Sequence, residues 1–212
     1  MTEPVKLRSH DSPLRRAQAA ATRLRIAETA AAVFATRGYQ GTRIEDVAAA
    51  ARVAYPTVYK TFRNKRNLLK AAVDVGITGG PEGDVARQQW FREQLDAPTA
   101  AGQLQLVARN ARRLYDRAGK LLEAVRAATA HDEEIAALWQ AIHDDRLRRA
   151  RITTKRLESK AKLRMTQAQA VRTLWTLTVP ELYVVQTHTA GRTPDQYERW
   201  LADVLVAALL EP

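Results

Sequence analysis

The residues of this 212-residue chain whose types suit metal chemistry are two strings, His131-Asp132-Glu133-Glu134 and His143-Asp144-Asp145. Their spacing does not suit it. Twelve residues along one helix place the two imidazoles ~18 Å apart on the axis and about 120° around it, too far for one ion. His131-Asp132 reads instead as a helix start, where acids meet the positive end of the backbone dipole. Asp144, Asp145, Arg146, Arg148 and Arg149 read as an ion-paired, solvated face. The sequence has no cysteine, which removes disulfides, thiolate metal sites and thiol catalysis together. No serine, histidine and aspartate stand in a nucleophile-elbow context, and there is no dinucleotide fingerprint. The Gly79-Gly80-Pro81-Glu82-Gly83 stretch has no preceding strand and no following Lys-Ser/Thr, so it is a loop and not a phosphate cradle. No catalytic residue, metal or cofactor is expected.

The chemistry that remains is recognition of nucleic acid. Residues 1–70 hold 14 Lys and Arg against five Asp and Glu, which is +9 of the formal +11. Such a basic block is the electrostatic footprint of a duplex-DNA binder. Within it, Gly41 to Leu69 reads as two short helices joined by a tight turn, with a third helix beyond. Thr42 is placed to cap the first, with Glu45 completing a capping box. Ile44, Val47, Ala48 and Ala51 share one helical face. Arg52-Val53-Ala54 makes the turn, with Val53 as its apolar plug, and Pro56 suits the first turn of the second helix. This is a helix-turn-helix pattern. Thr42 and Arg43 are placed to meet a phosphate at a helix N-terminus. Tyr55 and Thr57 lie in the first turn of the recognition helix, where side chains reach base edges, and Tyr59 and Lys60 follow them. Val58 and Phe62 are core.

Read together, Thr42, Asp46-Val47-Ala48, Ala51, Val53, Thr57, Tyr59, Phe62, Lys65 and Leu68 stand in the order and spacing of the tetracycline-repressor-like (TetR/AcrR) regulators. The chain resembles that family closely over about its first seventy residues. The resemblance implies a phosphate contact from the Tyr59 hydroxyl and another from Lys65, which follows Asn64 as cap. It also implies a homodimer on a palindromic DNA operator, a small-molecule pocket in the C-terminal helices, and repression. Two positions depart from the family pattern: Arg52 stands where the turn usually carries Gly, and Ala54 where the recognition helix usually has a Ser or Thr cap.

The elements that must position these residues are all helical. Residues 1–12, with Lys6 and Arg8, are polar and without period, and read as a disordered or DNA-reaching basic arm. A helix starts at Ser12-Pro13 and stops at Arg37-Gly38, burying Ile26, Ala30, Val33 and Phe34, with Arg15, Arg16, Arg23 and Arg25 on a solvated face. The helix from Lys65 to about Thr78 links motif to remainder. Beyond it, helices are expected at 84–95, 99–117, 118–129, 132–160, 166–189 and 194–210. The fold class is therefore all-α. Residues 13–70 form a three-helix helix-turn-helix DNA-binding domain, and 71–212 form a helical effector-binding and dimerisation domain.

Helix 166–189 is apolar on more than one side, and such a helix is buried on two. With 194–210 it predicts a four-helix dimer contact through Val171, Leu174, Leu182, Val185, Tyr197, Trp200, Leu201, Val204 and Leu205. Pro180 should kink this helix. Trp175 and Tyr183 flank the kink and are placed to line a hydrophobic effector pocket with Leu106, Tyr115, Leu122, Val125 and Trp139. No run approaches the ~18 apolar residues of a membrane span, so a cytoplasmic protein without membrane contact is expected. The leading expectation is a repressor released from DNA by a small hydrophobic or amphipathic effector. The alternatives are a ligand-independent dimeric DNA-binding protein and a helical carrier or enzyme.

Overall fold

The computed structural model describes residues 13–80 and 83–211; Lys6, Arg8, Ser12, Pro81 and Glu82 lie outside them. Ten α-helices follow in order: α1 Pro13–Arg37, α2 Ile44–Ala50, α3 Tyr55–Phe62, α4 Lys65–Thr78, α5 Gln89–Asp96, α6 Ala100–Ala128, α7 Glu133–Glu158, α8 Gln167–Leu177, α9 Pro180–Val184 and α10 Pro194–Leu209. No strand forms among the described residues; a single bridge joins Leu163 to Leu210. The protein is all-α and two-domained. No described helix is long and apolar enough to cross a membrane.

Local chemistry explains most helix starts. The Asn64 side chain accepts the Asn67 backbone N–H at 2.8 Å and so caps α4. Asp132 does the same for α7, accepting from Glu134 and Ile135. Thr166 and Thr193 open α8 and α10 through reciprocal bonds with Gln169 and Gln196. At α2 the expected cap shifts by one residue. Arg43 occupies the cap position, and its backbone N–H donates to Asp46 Oδ2 at 3.0 Å. Thr42 is 1 % exposed and its hydroxyl donates instead to the Gly38 carbonyl at 2.8 Å. Gly41 just before it is required: a Cβ there would stand 2.5 Å from the Arg37 carbonyl oxygen.

Two expected boundaries move. Residues 99–117 and 118–129 form one helix, α6; Gly119 inside it costs only about 1 kcal/mol relative to Ala, and its packing absorbs that. The expected helix 166–189 is broken, not kinked. Val179 is extended, as the residue before a proline prefers, and Pro180 opens the new helix α9. A π-turn over Val185–Thr189 follows.

The core runs without interruption from α1 to α10. α1 buries Ile26, Ala30 and Phe34 and packs along both α4 and α6, while α10 lies along α6. The expected division at residue 70 therefore falls inside α4. Tyr197 of α10 is fully buried, with its ring edge-on to Tyr183 at 4.9 Å, and its hydroxyl has no hydrogen-bond partner. An unpaired buried hydroxyl lowers stability. Tyr197→Phe is accordingly expected to stabilise the fold by about 1 kcal/mol in urea unfolding; a loss of that size would mean that the hydroxyl is satisfied in solution.

Candidate nucleic-acid interface and internal cavity

The helix-turn-helix is closed by backbone bonds. Arg52 takes a left-handed conformation (φ 53°), and the Arg52 and Val53 N–H groups donate to Ala49 and Ala48. That conformation is what glycine provides most cheaply, so Arg52 holds it at a cost of roughly 1 kcal/mol. Ala54 starts α3 without a side-chain cap, and Pro56 sits in its first turn. Val58 and Phe62 are buried, as expected.

Of the residues expected to face DNA, Arg43, Tyr55, Tyr59 and Lys60 are exposed. Tyr55 and Tyr59 project as a pair from one side of α3, ring centroids 6.2 Å apart, 42 % and 50 % exposed. Thr57 is half-buried between them in sequence. Thr42 is removed from the surface, because its hydroxyl and side chain are spent inside the motif. Lys65 is half-buried with its ammonium 4.3 Å above the Tyr39 ring, and burial lowers its pKa from the ordinary lysine value.

Three arginines that the sequence offers only as surface charge hold the motif in place. Arg23 of α1 donates to the Thr61 carbonyl at 3.1 Å and lies 4.6 Å over the Phe62 ring, fixing the end of the recognition helix. Arg37 pairs with Asp46 at 3.0 Å. The Asp46 carboxyl is held below its usual range by the Arg43 N–H first and by Arg37 after it. Arg66, in the first turn of α4, reaches Asp132 at 2.9 Å and Glu134 at 3.0 Å at the start of α7. The acidic string Asp132-Glu133-Glu134 is thus a helix cap and the anchor of α4. His143 stands apart from it, between the rings of Trp139 and Trp175. Burial and Arg146 both lower its pKa.

The far end of α4 is held as firmly. Arg117 of α6 donates to the Gly76 and Ile77 carbonyls at 2.7 and 2.9 Å, and a Cβ at Gly76 would meet the Leu121 side chain at 3.2 Å. Ile77 reaches the wall of a partly open cavity of ≈ 80 Å³, bounded by α5, α6, α7 and α8. Of the expected pocket residues, only Tyr115 and Leu122 line it. Val125 is core at 0 % exposure, and Leu106 is half-buried elsewhere on α6. Trp139, Trp175 and Tyr183 line three separate surface hollows. Trp90, Phe91, Gln94, Arg146 and Arg149 supply wall that sequence reading missed. The apolar pair Trp90-Phe91 was legible as a signal; the inward face of α7 was not.

The expected dimer residues also divide. Tyr197, Leu201 and Leu205 are 0 % exposed within one protomer, and Leu174 and Val171 are buried with them. Tyr197, Leu201 and Leu205 are thus covered by their own protomer, while Val171 keeps 8 % of its surface. Leu182, Trp200 and Val204 are half-buried, and Val185 is 50 % exposed.

Residues 26–72 match the family of bacterial regulatory proteins called tetR. Among curated protein sequences none matches the chain. Solved structures share its fold over nearly their full length. A TetR-family transcriptional regulator from Mesorhizobium loti is 20 % identical, covering 92 % of this chain and 99 % of that one, with a TM-score of 0.67. A transcriptional regulator from Saccharomonospora viridis in complex with choline is 20 % identical, covering 90 % and 98 %, at 0.69. The regulator FadR from Bacillus subtilis in complex with stearoyl-CoA is 18 % identical, covering 86 % and 97 %, at 0.66. Residues 26–72, which hold the helix-turn-helix, thus belong to the tetR family of bacterial regulatory proteins, and the chain shares the all-helical fold of these solved regulators over most of its length.

Proposed function

We propose that this protein is a homodimeric repressor that leaves a palindromic operator when a small molecule occupies the cavity. The observation that carries the reading is α4. One helix enters the helix-turn-helix at Asn64, is clamped to α7 through Arg66, and ends on the cavity wall at Ile77 with its last carbonyls held by Arg117. A ligand that widens the cavity pushes on Ile77 and α6, and the displacement reaches α3 through a rigid element. The ligand shifts the equilibrium only by its unequal affinity for the two arrangements. That similar folds are known in complex with choline and with stearoyl-CoA supports a ligand-responsive reading.

In this reading residues 13–70 bind DNA and 71–212 bind effector and partner. Arg43, Tyr59, Lys60 and Lys65 serve phosphates, and Tyr55 and Thr57 serve base edges. The second subunit covers Leu182, Val185, Trp200 and Val204. Two-fold symmetry sets the recognition helices about 34–36 Å apart, one turn of the duplex. The test is a mobility shift on DNA upstream of the protein's own gene, at two salt concentrations, with excess unrelated duplex. Retained, competitor-resistant binding is expected; binding lost to competitor at both salts, on this and further candidate operators, overturns the reading. A second reading, a ligand-independent dimer, draws support from the cavity itself, which at ≈ 80 Å³ is smaller than the ~300–1,000 Å³ of ordinary ligand sites. A screen for compounds that release the operator separates the two.

A further inference from the structure

The cavity wall is apolar along most of its length, with Trp90, Phe91 and Leu174 contributing. Its polar end carries two guanidiniums, Arg146 and Arg149, about one turn apart on α7, and no carboxylate lines it. Arg146 is 8 % exposed and has only neutral hydrogen-bond partners: it donates to the Trp175 carbonyl at 2.8 Å and meets His143 Nδ1 at 3.2 Å. Arg149 Nε itself lies 2.8 Å from Asp145 Oδ2, an ion pair without hydrogen-bond alignment. Asp145 is shared, since Arg148 also pairs with it while reaching Asp84. The cavity end is therefore a buried site with more positive charge than its own carboxylates balance. Such charge is costly to leave unpaired where water is partly excluded, and it attracts an anion.

We propose that the effector is a small monocarboxylate with an apolar body, its carboxylate seated on Arg149 and Arg146 and its body against Trp90, Phe91 and Leu174. This rests on the reading of the cavity as the effector site. The planar guanidinium fork matches a carboxylate in two parallel hydrogen bonds. A cation would meet two like charges with no acid on the wall, which sets this cavity apart from a site for a choline-like head. A dianionic phosphate costs more to desolvate than a monocarboxylate and has no apolar body to set against Trp90, Phe91 and Leu174. Neutral donors complete the polar end: Asn110 donates to Gln94 Oε1 at 3.1 Å, and Gln94 Nε2 to the Thr153 hydroxyl at 3.3 Å.

The test is calorimetric titration of the full chain with straight-chain acids from butanoate to decanoate and with benzoate, each beside its primary amide and its primary amine. At least one acid is expected to bind. Its amide should bind about 10- to 100-fold more weakly, and Arg149→Gln should weaken the acid by a similar factor. Its amine should not bind. The inference is overturned if no acid binds, if an amide or amine binds as tightly as its acid, or if Arg149→Gln leaves the acid unaffected. Should Arg149→Gln fail to fold by circular dichroism, Arg146→Gln takes its place with the same expectations. An acid that binds through these arginines yet leaves the operator complex intact upholds the anion site and removes the ligand-released reading, so the two fail separately.

Discussion

Tyr55→Ala and Thr57→Ala, each made in the full chain, are expected to lower affinity for the operator by roughly 10- to 100-fold while leaving binding to unrelated duplex within a factor of two or so. The reasoning is geometric. Both positions lie in the first turn of α3, the end of a recognition helix that enters the groove, and the Tyr55 ring is free to reach because it is not part of the core. Lys60→Ala is the matching control. It should weaken operator and unrelated duplex alike and reduce the slope of log affinity against log salt by about 0.9, the release of one counterion. Competition titrations at several salt concentrations read both quantities. Equal losses on operator and unrelated DNA for Tyr55→Ala and Thr57→Ala would place base recognition elsewhere, with Arg43 and Arg52 the next exposed residues of the motif.

The second large effect is on stability. Phe34 is fully buried in α1, its ring stacked on Tyr39 at 6.1 Å between centroids, and the Tyr39 ring in turn carries the Lys65 ammonium. Phe34→Ala removes the transfer energy of the ring and leaves a hole that helices on three sides cannot close. It is expected to cost about 3–5 kcal/mol and to lower the melting temperature by roughly 10 °C. Because the hole opens beside α4, operator affinity should fall as well, and saturating operator DNA should restore part of the lost melting temperature by binding only the folded state. A melting temperature within two degrees or so of the parent would show that α1 repacks freely.

Much of this architecture was legible in the sequence because it depends on short-range chemistry. The caps at Asn64, Asp132 and Thr193 are satisfied by backbone groups two or three residues away, so their pattern can be read from a few letters. The apolar periods of α1 and α10 were equally plain. What failed was whatever depends on the other side of a contact. The stripe of Tyr197, Leu201 and Leu205 shows that α10 buries one face, but not that α6 of the same chain fills it. Arg146, Arg148 and Arg149 with Asp145 have the spacing of a solvated ion-paired face, and part of that face is one: Arg148 is exposed. The one-residue step to Arg149 turns the side chain about 100°, into the cavity, and no local rule says which side of α7 the neighbours will cover. Arg66 and Arg117 escaped notice for the same reason, since their partners lie far along the chain.

The packing of α1 on α6, and the anchoring of α4 at both ends, have a consequence for motion. Helices whose ends are held by another segment's side chains do not fray alone; they open with that segment as one cooperative unit. The last carbonyls of α4 are held by Arg117, and its first turn by Asp132 and Glu134. Amide protons of α4 should therefore exchange with solvent at the pace of α6, while those of α2 and α3, tied down mainly by Arg23 and the buried Val47, Val58 and Phe62, exchange faster. The segment that reads DNA is then the soft part of the molecule, and the shaft behind it is the stiff part.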